Sequence, residues 1–380
     1  GVAVENGEGN RVLLITSWRR APIVNPDRGG TYQYFDQIGA IRPMSKWSEA
    51  AETFDRVPEL TRRALRQCWI GRPGVVHLCV PEDLVNGPYP EAAPALTPPE
   101  RYRRTTRGAA PESLVRDAAD RLLQAEQPMI HAGSGVLHAR ATAELREVAE
   151  ALQAPVTTSW AARDVIDERA EVSIPMNLLE LNTRVRNDAD VVLALGTRFG
   201  ETDWWGKPPD WRDPSEQQLI QVDLDEDVHG QNKPVDVAVV ADVQSFLAAL
   251  LQELKSRAAA PGLAARRAKL AEYAQARREG LATLGEMLES ETELVHSARV
   301  ANTCRAVFDD DAVLVADGGN ATVWANMFHE VRVPHSMLST YKFGMLGAGV
   351  AQTLAAKVAA PERAVYCLSL IHISEPTRRA

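Results

Sequence analysis

The amino-acid sequence predicts an α/β fold of doubly wound parallel sheets. Short apolar runs of strand length recur along the chain, and between them apolar residues return at helical spacing. The runs Val12-Leu13-Leu14-Ile15 and Val75-Val76-His77-Leu78-Cys79-Val80 are almost wholly apolar, as parallel strands covered on both faces by helices require. Composition narrows the class. The chain has 380 residues, 42 basic against 51 acidic, a net charge of -9, and is 45% hydrophobic and 24% charged. These are values of a globular protein with no basic footprint for nucleic acid. No apolar run reaches the ~18–20 residues of a membrane helix. Cys68, Cys79, Cys304 and Cys367 are too few and too scattered for a disulfide scaffold or a zinc site. A reduced, cytoplasmic protein of two or three domains is expected.

The elements follow in order. After the first apolar run, residues 57–69 read as an amphipathic helix with Leu60, Ala64, Leu65 and Cys68 on one face. Residues 1–86 hold few strands for a complete domain. Residues 87–111 carry Pro88, Pro90, Pro94, Pro98, Pro99 and Pro111 with Arg101, Arg103, Arg104 and Arg107. They read as an extended, solvated linker rather than a phosphate site. Pro111 opens a helix marked by Leu114, Val115, Ala118, Ala119, Leu122 and Leu123. Strands are expected at 128–132, 155–159, 190–195, 218–224 and 235–240, with helices at 141–152 and 243–254, giving a middle domain over 112–255. Residues 256–290, rich in Ala, Arg and Glu, read as a solvated helical connection. A third domain, 291–367, opens with a helix over 293–307 and a strand over 312–316 that ends at Asp317-Gly318-Gly319-Asn320.

Several turns are candidate sites. Gly133-Ser134-Gly135 sits between a strand and a helix, where backbone N–H groups can approach a phosphate. A lone Gly-x-Gly is equally the mark of a plain tight turn. Gly196-Thr197-Arg198-Phe199-Gly200 ends another strand, Asp223 and Asp225 end a third, and Asp242 precedes a helix. Ligands of open α/β sheets bind beyond the carboxyl ends of the strands. Gly133, Gly135, Arg198, Asp223 and Asp242 therefore either hold a nucleotide or line a vestigial edge. In the segment from Ser339 to Gly349, glycines alternate with bulky apolar residues ahead of a small-residue helix over 350–359.

Four blocks carry a resemblance to a known family. They are Tyr32-Gln33-Tyr34-Phe35-Asp36 with Ser45-Lys46-Trp47; Gly71-Arg72-Pro73-Gly74-Val75-Val76 running to Val80-Pro81-Glu82-Asp83; Leu195-Gly196-Thr197-Arg198-Phe199 with Val222-Asp223-Leu224-Asp225; and Gly344-Met345-Leu346-Gly347. The chain resembles the thiamine-diphosphate enzymes of the acetolactate synthase superfamily, in particular their large catalytic subunit. The resemblance implies a thiamine-diphosphate-binding fold with pyrimidine-binding, central Rossmann-like and diphosphate-binding domains. It implies a lyase or transferase that joins or splits 2-oxo acids, with thiamine diphosphate and Mg²⁺, as a homodimer or homotetramer. The central domain is open to FAD, an ADP-containing ligand, or nothing. The carbonyl of Gly344 would accept from the cofactor's 4'-amino group, Met345 would lie beside it, and Leu346 would bend the cofactor. Gly319 and Asn320 would lie at the diphosphate. Gln33 and Lys46 would be catalytic, although surface roles fit them equally, and Arg72 reads as a fold-fixing turn residue.

Departures from the family's pattern qualify the substrate. Where acetolactate synthases have Gly-Gln-His-Gln-Met-Trp, this chain has Gly319-Asn320-Ala321-Thr322-Val323-Trp324. Its Asn also suits the oxalyl-CoA decarboxylase and 2-hydroxyacyl-CoA lyase branch. A non-catalytic nucleotide-binding or regulatory paralogue is the alternative of another class. Neither end reads as a natural terminus, and both flanking domains are expected to be incomplete. The family's catalytic Glu would precede Gly1, and no Gly-Asp-Gly metal loop follows residues 365–369, so no metal ligand is assigned. Residues 368–380, with His372 and Glu375, resemble a translated sequencing-library adapter. The chain as it stands is expected to be inactive.

Overall fold

The computed structural model describes residues 1–88, 95–257, 261–289 and 295–369, and every structural statement below refers to these. Pro90, Pro94, the first residues of the helix expected over 293–307, and the tail from 370 with His372 and Glu375 lie outside them. The chain forms two compact units, Gly1–Arg107 and Gly108–Ala380. Its sheets are parallel throughout, in keeping with the α/β class read from the apolar runs.

The first unit is built on strands β1 (Val12–Thr16), β2 (Trp47–Ala50) and β3 (Val75–Cys79), in the order β1-β3-β2. Every residue of the central strand β3 is buried. One of them is a histidine. His77 is hydrogen-bonded through Nε2 to the Thr16 hydroxyl at 2.7 Å and through Nδ1 to the Ser48 hydroxyl at 2.8 Å. Both ring nitrogens are satisfied from the neighbouring strands, as burial demands, and burial lowers the pKa of the ring. The helix Arg56–Trp69 lays Leu60, Ala64 and Cys68 on the sheet, at the four-residue spacing of one helical face. Arg72 donates to the carbonyls of Asn6 and Gly7 at the end of the helix Val2–Glu8, where unpaired carbonyls and the helix dipole both favour a cation. Of the basic run after Pro99, Arg101, Arg104 and Arg107 are exposed as expected, whereas Arg103 is held against the helix Arg56–Trp69. Trp69 lies between the guanidinium groups of Arg11 and Arg103, 4.1 and 4.2 Å from its ring centre, and Arg66 donates to the carbonyl of Tyr102 at 2.6 Å.

The second unit holds two sheets. The larger contains β4 (Pro128–Ala132), β5 (Val156–Thr158), β6 (Val191–Leu195), β7 (Gln218–Asp223) and β8 (Val237–Val240), in the order β5-β4-β6-β7-β8. This is a doubly wound order, with its topological switch between β4 and β6. Right-handed crossovers then put the helices Thr142–Leu152 and Leu179–Asp188 on opposite faces. Helices Glu112–Gln124 and Thr142–Leu152 both pack on Val243–Ser256. The smaller sheet contains β9 (Val313–Ala316), β10 (Met337–Ser339) and β11 (Val365–Leu368), in the order β10-β9-β11. No described helix is long and apolar enough to cross a membrane.

The helix Leu263–Glu289 departs from the solvated connection expected over 256–290, because it buries Leu270, Tyr273 and the whole of Arg266. Arg266 donates to the carbonyls of Leu122, Leu123, Ala125 and Leu152 at 2.6–3.2 Å. It closes the carboxyl ends of two helices at once. Arg277 donates to the carbonyls of Ala170 and Ser173, in the loop ahead of the helix Leu179–Asp188, at 2.6 and 3.0 Å. The buried face is therefore partly arginine, which hides it from an apolar count.

Three charged side chains on one short segment tie the larger sheet to the smaller. Arg163 and Glu168 form a buried pair at 2.6–2.9 Å. Arg163 also donates to the carbonyls of Asn326 and His329, and Glu168 accepts from Val331 N at 2.8 Å. Asp164 accepts from the backbone N–H groups of Ser336 and Met337 at 3.1 and 3.2 Å. Glu168→Ala would leave a buried guanidinium without its counter-charge. We expect it to lower the unfolding free energy by about 3–5 kcal/mol, read as a lower urea midpoint at unchanged slope. Asp164 gives a test in pH. Burial pushes its carboxyl up to about 6 from an ordinary 3.8, against the opposing pull of its N–H donors and Arg163. A raised carboxyl favours the folded state fully below its unfolded pKa, and this contribution fades as pH rises through about 6. Asp164→Asn should flatten that part of the stability–pH curve, and an unchanged slope between pH 4 and 6 would count against it.

Candidate functional site

The carboxyl end of the smaller sheet gathers three chain segments. Strand β9 runs into Asp317, Gly318 and Gly319, and then into the helix Asn320–Phe328. Strand β10 runs through a turn into the helix Ala348–Ala359. Strand β11 ends at Leu368, paired with Ala316, and is followed by Ser369.

The turn after β10 is fixed locally by Thr340. Its carbonyl accepts from the N–H groups of Phe343 and Gly344 at 3.1 and 2.7 Å, and its hydroxyl accepts from Met345 N at 2.9 Å. Gly344 and Gly347 take φ of 55° and 85°, the left-handed region open to glycine. The turn lies directly on Gly318. A Cβ at Gly318 would strike the Gly344 carbonyl oxygen and stand 2.6 Å from the carbonyl carbon of Met345. Phe343, Met345 and Leu346 are exposed along this turn.

Asp317 holds the arrangement from below. Its side chain is buried, and Oδ2 accepts from Gly347 N at 3.0 Å and from the Ser369 hydroxyl at 2.7 Å, while Oδ1 accepts from Gly349 N at 3.0 Å. Burial raises the carboxyl, but the Ser369 hydroxyl and the N–H groups of Gly349, Gly347 and Gly318 outweigh it and hold it below the usual carboxylate range. Beside this, a cavity of about 370 Å³ is lined by Ser297, Val300, Asn320, Trp324, Leu368 and Ser369 among others. The helix that opens on it, Asn320–Phe328, has Gly319 at its N-cap and no side-chain cap, so its first N–H groups are available to an anion.

Of the residues expected here, Gly319, Asn320, Gly344, Met345 and Leu346 all come to this one edge. The parts played by Asp317 and Gly318 were not foreseen. Their signal was an acidic residue at a strand end followed by two glycines, with a helix elsewhere whose N-cap is itself a glycine. In the first unit, Gln33 is exposed with φ of 57°, an uncommon conformation for a residue with a side chain. Lys46 donates from Nζ to the carbonyls of Ile70 and Arg72, so its ammonium group braces the turn that follows the helix Arg56–Trp69.

The switch point of the larger sheet is differently built. Gly133 and Gly135 face Gly196 across it. A Cβ on Gly135 would lie 2.6 Å from Gly196 Cα, and one on Gly133 would lie 2.7 Å from Thr197 Cβ. The N–H groups of Gly133 and Gly135 donate to the carbonyls of Leu195 and Gly196 at 2.8 and 3.1 Å. The glycines therefore let two strand ends touch, and the amides expected for phosphate are spent. The carbonyl of Arg198 accepts from Asn232, Asp223 accepts from Asp225 N, and Asp242 caps the helix Val243–Ser256 through Ser245 N. Beyond β6, Trp204, Trp205 and Gly206 take φ of 54°, 56° and 67° in succession. This strained turn is held from beneath by Lys233, which donates to the Gly206 carbonyl at 3.3 Å. Among the described residues, no group of three or more His, Cys, Asp or Glu could hold a metal ion.

Residues 115–250 match the thiamine pyrophosphate enzyme central domain, and residues 317–369 match the C-terminal TPP binding domain of thiamine pyrophosphate enzymes. The chain is 30% identical over 355 residues to the probable 2-ketoarginine decarboxylase of Pseudomonas aeruginosa, covering 93% of this chain and 59% of that protein. It is 27% identical over 364 residues to the acetolactate synthase isozyme 1 large subunit of Escherichia coli, covering 94% and 60%. It is 25% identical over 382 residues to the probable acetolactate synthase large subunit of Methanocaldococcus jannaschii, covering 95% and 60%. The chain thus spans about three fifths of the length of the curated relatives it matches.

The contact between Gly318 and the turn yields a direct test. Gly318→Ala should displace residues 344–345, because the atoms it meets are backbone and cannot rotate away. We expect a loss of about 1–3 kcal/mol in unfolding free energy, with faster amide exchange confined to residues 340–349. Wild-type exchange in that segment would contradict the close approach.

Proposed function

We propose that this chain, which carries the central and C-terminal TPP-binding domains of thiamine pyrophosphate enzymes, belongs to the catalytic subunit of a thiamine-diphosphate-dependent enzyme acting on 2-oxo acids. One observation carries the reading. Within the segment that matches the TPP-binding domain, the glycine turn 344–347 is laid on Gly318 beside an uncapped helix N-terminus that opens on a cavity. When bound, thiamine diphosphate supplies an electron sink for the carbanion left when a 2-oxo acid loses its carboxylate.

The protein's own residues would do the rest. Gly319 and Asn320, at the start of the uncapped helix, would hold the diphosphate with backbone N–H groups. The turn through Gly344, Met345 and Leu346 would support the ring end, with exposed Leu346 as the bulky contact. We propose Gln33, held in an uncommon backbone conformation, as a catalytic residue. Lys46, with its ammonium on the carbonyls of Ile70 and Arg72, would keep the Arg72 turn in place. Both oxygens of Asp317 accept from the protein's own N–H and O–H groups, and no step is assigned to a metal. Nor do we propose a nucleotide phosphate at the Gly133–Gly135 turn, whose amides are committed.

Two outcomes stay within the reading: release of the decarboxylated product as an aldehyde, as the name of the Pseudomonas relative suggests, or its joining to a second 2-oxo acid, as the names of the acetolactate synthases suggest. We also propose a cytoplasmic homodimer or homotetramer. Val350, Leu354 and Val358 form an exposed apolar stripe at four-residue spacing on the helix Ala348–Ala359, a surface suited to a second copy.

The test uses the protein that carries this chain, with thiamine diphosphate and Mg²⁺, offered pyruvate and 2-ketoarginine separately. Consumption that requires thiamine diphosphate supports the reading. Acetolactate from pyruvate identifies a carboligase, and CO₂ with an aldehyde from either acid identifies a decarboxylase. Failure to bind thiamine diphosphate by calorimetry, with neither acid consumed, would sink it.

A further inference from the structure

The buried carboxylate of Asp317 has a part that metal binding and proton transfer leave unexplained. The helix Ala348–Ala359 has a glycine at its N-cap and no side-chain cap of its own. Its second residue is Gly349, and the residue at its N-cap is Gly347. Both N–H groups are taken by Asp317, which stands 30 and 32 positions earlier in the chain. The carboxylate thus does from a distance what an Asp at the N-cap does locally, and it sets its charge against the positive end of the helix dipole. Ser369, at the end of β11, adds a third donor at 2.7 Å. Asp317 itself is fastened by its backbone, with its N–H on the Leu368 carbonyl at 2.8 Å and its carbonyl taking the Thr322 hydroxyl. One side chain therefore joins the ends of β9 and β11 to the start of the helix that carries the 344–347 turn.

We propose that Asp317 is the positioning residue of the thiamine site. It orders the turn that receives the ring end of the cofactor, and it fills the dipole of the helix Ala348–Ala359. The helix Asn320–Phe328 is then left to receive the diphosphate. This rests on the cofactor reading above. The geometry separates the two ends of the ligand. The carboxylate touches the amides behind the turn, whereas the uncapped amides at Asn320 belong to the other helix. Neutralising the carboxylate should loosen the turn and spare the diphosphate end. In Asp317→Asn one acceptor oxygen becomes an NH₂ group that faces an N–H or hydroxyl donor, so the size is kept and the charge-assisted contact is lost.

The test compares the wild-type protein that carries this chain with its Asp317→Asn variant and with Ser369→Ala, which removes one donor but keeps the carboxylate. The first readout needs no cofactor. Amide exchange at Gly347 and Gly349 should quicken about tenfold in Asp317→Asn, the scale of one hydrogen bond to a charged group, and stay within about threefold of wild type in Ser369→Ala. Exchange at Leu354 and in β9 should not move in either variant. The second readout is the ratio of dissociation constants for thiamine diphosphate and for inorganic diphosphate, both with Mg²⁺. It should rise about tenfold in Asp317→Asn, through loss of the ring contacts alone. Unchanged exchange at Gly347 and Gly349, equal exchange in the two variants, or equal weakening of both ligands would overturn the inference. If the wild-type protein binds inorganic diphosphate but gains nothing from the thiamine ring, the cofactor reading fails instead, and the exchange result still decides whether Asp317 orders the turn.

Discussion

The second unit depends on the pairing of Arg163 with Glu168, sealed away from water. Neither charge is tolerable alone in that position, and the pair is retained because its remaining hydrogen-bonding capacity is met by backbone. The partners lie at the far end of the helix Asn320–Phe328 and on the approach to β10. Asp164 adds a grip on the first residues of β10. The two strands that carry the functional turns therefore take their positions partly from side chains of the neighbouring sheet. The smaller sheet brings only a modest apolar core of its own, around Ala312, Leu314, Ala316, Ala325, Val331 and Met337, so directional polar contacts supply specificity that packing alone would not.

Glycine is used in two different ways at the two sheet edges. At the switch of the larger sheet, Gly133, Gly135 and Gly196 bring strand ends into backbone contact, and their amides are taken by the carbonyls of Leu195, Gly196 and Val222. At the smaller sheet, Gly318 makes room for a turn, while Gly319 leaves the next helix uncapped. The first edge is closed and the second is open. The same sequence signature, glycines between a strand and a helix, serves both, and the partners of the N–H groups decide which is which.

Much of this was legible in the sequence, for identifiable reasons. Apolar runs such as Val191-Val192-Leu193-Ala194-Leu195 have one low-energy use in a chain this size, and the strands that were expected fell within one or two residues of their limits, whereas the short strands β2 and β10 were not foreseen. The residues of the open edge were recognisable by block similarity, from Gly319 to Leu346. Three long-range contacts were hidden as well. The helix Leu263–Glu289 buries arginine where an amphipathic helix normally buries leucine, so its packed face read as solvated. Arg103 read as linker charge because its partner, Trp69, is distant in sequence. Asp317 read as the end of a strand because its partners Gly347, Gly349 and Ser369 lie thirty or more positions away. In each case the missing information was a long-range polar contact, which periodicity does not encode.

The helix Asn320–Phe328 has nine residues and so is only about 14 Å long. One end opens on the cavity, and the other is bolted to Arg163 from the neighbouring sheet. Anything that grips the open end is therefore gripping a short rigid strut anchored in the central domain. The practical consequence concerns dissection. Excising residues 112–255 as a free-standing domain would strip Arg163, Asp164 and Glu168 of their backbone partners and leave three charges facing a vacated socket. Expressing the smaller sheet alone would free the strut at its anchored end. A soluble piece that preserves either edge has to keep both sheets of the second unit together.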